Sequence, residues 1–204
     1  MSRLPKIPKE LILQASLDLL ISEGYANVTI KSIAQKLNCS TQPISWHFGS
    51  MPAFRESLLD YTLQYVKENY FIPTVNPFYS FYLTGRNHID MALKMPHLFH
   101  FLYMGESGMQ FNVEHPNSPY SATQMAEFLG ISVPETMELI QTMLFYTQGA
   151  SSMIATQTIN ETPDSIFESF DRVSVKLLVS YGIPLETAFG LINPPVDGSS
   201  NTPT

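Results

Sequence analysis

Between Ser40 and Phe48 the chain sets Thr41, Gln42, Ser45 and Trp46 on one arc of a helix and Ile44, His47 and Phe48 on the other, at about 100° per residue. The outer arc holds hydroxyls, an amide and one indole, and no charge. Such groups can hydrogen-bond to base edges and phosphates, whereas a helix face made only for solubility usually carries charges. An ordinary packing helix is the competing reading of the same residues.

The elements that must position this arc are legible upstream. Thr29 has the hydroxyl of an N-cap, and Ile33, Ala34 and Leu37 then share one helical face, with Lys31, Gln35 and Lys36 on the other. Asn38 and Cys39 form a turn, with Asn suited to a left-handed backbone. Ser40 is expected to cap the second helix, and Pro43 falls in its first turn, where a missing N–H costs little. Two short helices joined by a tight turn are the pattern of a helix-turn-helix reader of the major groove. An earlier helix repeats Ile12, Ala15, Ser16, Leu19 and Leu20 and stops at Gly24. Ahead of it, Arg3, Lys6 and Lys9, spaced by Pro5 and Pro8, read as an extended basic arm able to follow a DNA backbone or as a solvated tail. Ser50 and Pro52 open a further helix lined by Phe54, Leu58, Tyr61 and Tyr65.

Gly24-Tyr25, Thr29-Ile30, Ile33-Ala34, Leu37, Ser40, Ile44, His47-Phe48 and Ser50 together resemble the TetR/AcrR family of transcriptional regulators over the first quarter to third of the chain. The resemblance implies an all-α protein: a three-helix helix-turn-helix head over residues 1–50 and a helical effector-binding and dimerisation domain over 51–192. The tail over 193–204, with PP, DG, SS and NTPT, is too poor in apolar groups to pack and is expected to be disordered. It makes Thr29, Lys31, Ser40, Thr41, Gln42, Ser45, Trp46 and His47 the candidate DNA contacts. Four positions depart from the family pattern: Asn38 and Gln42 stand where it usually has Gly, Ser45 where Tyr is common, and Met51 where Lys is common. The last two remove usual phosphate contacts, so a weaker non-specific affinity is expected. Trp46, beside the lost tyrosine position, could pack on sugar or a thymine methyl instead.

Charge supports a reader with a faint basic footprint. Residues 1–70 carry seven basic and six acidic side chains, and the remainder four and twelve, which together give the formal −7. That asymmetry suits one end on DNA and the other held away from it. Cys39 is the single cysteine, so no intrachain disulfide can form, and a cytoplasmic setting is expected. No leader or membrane span is read, and no Gly-rich phosphate loop, nucleophile elbow or paired carboxylates suggest an enzyme.

Beyond Pro77 the periodicity is helical, with helices expected over Phe78–Lys94, Pro96–Met104, Tyr120–Leu129, Pro134–Thr158 and Pro163–Tyr181. The segment from Phe78 to Met104 is dense in aromatics and methionine, which serves a core or an apolar cavity. With the family's habit of binding small molecules there, Phe78, Phe81, Tyr82, Arg86, His88, Phe99 and Tyr103 are the candidate contacts for a small apolar or aromatic effector. His97 and His100, at i and i+3, with His88, Glu106 and His115 nearby, do not make a metal site by spacing alone. No metal or cofactor is expected. In the family the last two long helices pair with those of a second subunit. Met143, Thr147, Ala150, Ile154, Phe170, Val173 and Leu177 are therefore the candidate homodimer interface, the alternative being one subunit's own core. The resulting expectation is a homodimeric repressor that binds a palindromic operator on double-stranded DNA and is released by its effector. The alternative is a helical adaptor whose helix-turn-helix no longer binds DNA tightly.

Overall fold

A computed structural model describes residues 7–71, 74–107 and 121–194. Those residues form ten α-helices and no strand: α1 (Lys9–Glu23), α2 (Ile30–Lys36), α3 (Gln42–Phe48), α4 (Met51–Tyr70), α5 (Pro77–Lys94), α6 (Pro96–Tyr103), α7 (Ala122–Leu129), α8 (Val133–Ala155), α9 (Pro163–Ser180) and α10 (Leu185–Ile192). The all-α expectation holds. The expected arm residues Arg3 and Lys6, His115, and the tail from residue 195 lie outside the described residues.

By packing, the chain groups into two compact units. One takes residues 1–71, 89–112 and 150–159, and the other 72–88, 113–149 and 160–204. This is a grouping by contact, separate from the division by role into 1–50, 51–192 and 193–204.

The first unit is built around α1. Its Ile12, Leu17 and Leu20 join Ile33 of α2, Ile44 of α3, Phe54 and Leu58 of α4, and Leu98 and Phe101 of α6 in one apolar cluster. Gly24 ends α1 at φ +83°, a region that favours glycine, and an added Cβ would lie 3.2 Å from the His97 imidazole. The Tyr25 ring beside it meets Phe101 at 4.9 Å, so the turn after α1 is packed directly under α6.

The second unit is held by α5, α8 and α9 in its described part, with α10 packed on α9. At the crossing of α5 and α9, Gly85 lies under Phe170: a Cβ there would stand 2.7 Å from the ring. Ser132 and Glu135 cap α8 reciprocally, the Ser132 N–H and hydroxyl donating to the Glu135 carboxylate at 2.8 and 2.6 Å.

Three sequence expectations need correction. Lys9 is the first residue of α1, not part of an extended arm, because the extended Pro8 starts the helix. The helix expected to reach Thr158 ends at Ala155. There Gln157 turns left-handed at φ +56° while Gln157 N–H and Thr158 N–H donate back to Ile154 and Met153. Beyond the expected end at Tyr181 the chain adds α10, opened by Pro184.

Candidate DNA-reading face

The geometry of the reader begins with how α2 stops. Asn38, at φ +49°, donates to Gln35 O at 3.1 Å, and Cys39 donates to Ala34 O at 2.9 Å. This pair of bonds closes the helix end and consumes the first residues of the turn. Consequently α3 starts one residue later than expected. Its N-cap is Thr41, not Ser40, and Thr41 has a helical backbone (ψ −15°) with no side-chain capping bond. The Thr41 hydroxyl is therefore left on the surface. Pro43 lies in the first turn, where its missing N–H is harmless.

The two arcs separate as the sequence pattern requires. Ile44 is buried in the cluster, and Phe48 is half-buried with its ring edge-on to Phe54 at 5.0 Å. Ser40, Thr41, Gln42 and Ser45 are exposed, and Trp46 is 70% exposed. Its indole offers a partner a flat apolar surface together with one N–H donor. Lys31 is exposed on α2, whereas Lys36 is engaged with Asp18 at 3.5 Å. Met51, at the start of α4, is 43% exposed.

Two candidate contacts have structural duties. The Thr29 hydroxyl accepts from Ser32 N–H at 3.1 Å while the Ser32 hydroxyl accepts from Thr29 N–H at 2.9 Å, a reciprocal cap on α2. His47 sits between the arcs. Its Nε2 meets the Ile7 carbonyl at 2.8 Å, so that nitrogen carries the hydrogen and donates. Lys9 places its ammonium 5.3 Å from the Phe48 ring centre. The chain entering α1 is thereby pinned to α3, a contact forty residues apart in sequence.

The candidate effector residues divide between the units. Phe99 is buried and Tyr103 half-buried in the first unit, where burial pushes the Tyr103 phenol up to about 12. Phe78, Phe81, Tyr82, Arg86 and His88 lie in the second. There Tyr82 donates to Asp171 at 2.5 Å, and Arg86 bonds both Asp171 (2.5 Å) and the Tyr82 oxygen (3.1 Å). The Arg86 guanidinium also stands 4.5 Å from the Phe167 ring centre. Burial, with the bond to Asp171 next in weight, raises the Tyr82 phenol well above its usual range. Burial works against the Arg86 charge, and the bonds to Asp171 and Tyr82 more than restore it. His88 Nε2 meets Gln148 Oε1 at 3.0 Å, and burial lowers the imidazole to about 4. Sequence reasoning missed Asp171, Phe167, Gln148 and Ile7. A lone arginine among aromatics signals a need for an acid, but the sequence offers twelve beyond residue 70.

Of the candidate interface residues, Met143, Thr147 and Phe170 are buried in the second unit and Ile154 in the first. Ala150, Val173 and Leu177 are half-buried. On α8, Met137 (44%) and Phe145 (65%) stand exposed instead. Among the described residues, no group of three His, Cys, Asp or Glu could hold a metal ion. None of the described helices is long and apolar enough to cross a membrane.

A capped α2, a left-handed turn at Asn38 and a short α3 with an uncharged outer face define a helix-turn-helix head of the DNA-reading class. Residues 12–58 match the family of bacterial regulatory proteins described as the tetR family, a span that runs from α1 into α4. The match covers the helix-turn-helix head and supports a DNA-binding transcriptional regulator. No curated protein matches the chain.

Proposed function

We propose that the protein is a homodimeric repressor whose α3 helices enter successive major grooves of a palindromic operator, and that a small apolar or aromatic effector releases it. The observation that carries the reading is the α3 face: Thr41, Gln42, Ser45 and Trp46 exposed and uncharged, over a buried Ile44. Exposed amides and hydroxyls discriminate bases, while Trp46 adds apolar contact. Two-fold operators need readers spaced by about 34–36 Å, which a dimer supplies.

The interface in this reading uses what α8 and α9 leave outside their own packing, with Phe145 and Met137 as apolar anchors. The effector reading rests on the buried aromatics Phe78, Phe81 and Tyr82. Its polar anchors would be the Tyr82–Arg86–Asp171 set and the His88–Gln148 pair. Effector binding there would favour one of two states of the dimer and so lower operator affinity. A reducing cytoplasm suits a DNA binder whose single cysteine, Cys39, is unpaired.

Selection of genomic fragments by the wild type and by a Gln42→Ala, Trp46→Ala variant tests the reading. A palindrome enriched by the wild type and lost in the variant is the expected result. No enrichment by folded wild type would instead favour the adaptor, for which Ser45, Met51 and the acidic balance speak.

A further inference from the structure

Along α9 the exposed residues Asp164, Glu168, Arg172 and Lys176 recur every four positions, in the charge order minus, minus, plus, plus. None of the four is in an ion pair among the described residues, although Glu168 and Arg172 stand at the i, i+4 spacing that usually allows one. The order is its own complement under one operation only. When a second α9 is laid antiparallel across the first about a two-fold axis, every acid meets a base.

We propose that α9 sets the register of the homodimer. Two α9 helices cross antiparallel about an axis at the level of Phe170, so that Glu168 faces the partner's Arg172 and Asp164 faces the partner's Lys176. At 1.5 Å per residue the inner charges lie about 3 Å and the outer ones about 9 Å along the helix from that axis. Phe170 itself points away from it, onto Gly85. A row of residues four apart is also a ridge of the kind two helices interleave when they cross. Charges arranged in this way supply specificity and register more than affinity.

The occupant is a second copy because the sign pattern is isologous: position i meets j, and j meets i. An in-register parallel pairing would bring like charges together, and shifted pairings either do the same or leave half the charges unmatched. The inference rests on the dimer reading above and specifies its geometry. Acids early and bases late in a helix also suit the helix dipole, which acts in a monomer too, so the test must separate the two.

Two single-sign chains do so. One carries Asp164→Lys and Glu168→Lys, the other Arg172→Glu and Lys176→Glu, all at exposed positions, with circular dichroism confirming that each folds. Sedimentation at low-micromolar concentration should give a wild-type dimer, two variants that are monomeric alone, and a heterodimer when they are mixed in equal amounts. The chain with all four substitutions should dimerise again. Variants that each remain dimers, or that stay monomeric when mixed, would overturn the register and leave the dimer standing. A wild type that sediments as a monomer would remove the dimer reading itself.

Discussion

His88 carries its function or its cost in a single proton. Because burial holds its imidazole near pH 4 against an ordinary 6.5, the unfolded chain takes up a proton first as the pH falls. The stability that a neutral His88 contributes is complete above pH 6.5, declines from there to about pH 4, and is constant below. The full effect is about 3 kcal/mol. Urea unfolding of the wild type and of His88→Asn at several pH values should show the two curves of stability against pH diverging across that window. Parallel curves would mean that His88 does not titrate differently on folding. The same residue marks a limit of sequence reading: its type and apolar neighbourhood could be read, but its partner Gln148 lies sixty positions away. Likewise Arg86 was singled out, while Asp171, at a separation of 85, was not. Local chemistry is written locally, and pairing across helices depends on packing geometry that no spacing records.

At the scale of elements, what could be read tracks whether the stop or start signal is a residue with its own backbone chemistry. Gly24, Asn38 and Pro43 each act where their type demands, at φ +83°, at φ +49° and in the first turn of α3. Gln157 adopts the left-handed conformation with no such type, so the end of α8 was placed too late. The Ser40 cap failed for a related reason. The closing bonds of α2 reach to Cys39, which leaves too little chain for Ser40 to begin α3. Gly85 shows the reverse case, a glycine in a helix interior kept for space. Gly85→Ala should gain the helix propensity of alanine, under 1 kcal/mol. Against that, its Cβ meets Phe170 at 2.7 Å, an overpacking that costs about 1–3 kcal/mol. Net destabilisation, read as a lower denaturant midpoint, is expected; a midpoint equal to the wild type's would show that Phe170 moves aside freely.

Across the whole molecule the decisive quantity is charge. The reader face is polar but uncharged, Lys36 is committed to Asp18, and Lys9 lies over Phe48. Among the described residues of the reader, few cations are therefore left to displace counterions. On a selected operator the slope of log K against log salt should be shallow, about −4 or less steep, since each neutralised phosphate contributes about 0.9. A slope near −10 would refute it. The class of the fold was plain from periodicity throughout. That Met143, Thr147 and Phe170 pack inside the subunit was not, because such residues look alike in sequence whether they serve their own core or an interface.

The bond from His47 to the Ile7 carbonyl has a practical corollary. Loss of the His47 imidazole frees the chain that enters α1 as well as one side of α3. His47→Ala therefore changes the reader at two points at once, and a fall in DNA binding by that variant reports the anchoring of Ile7 as much as any contact with a phosphate.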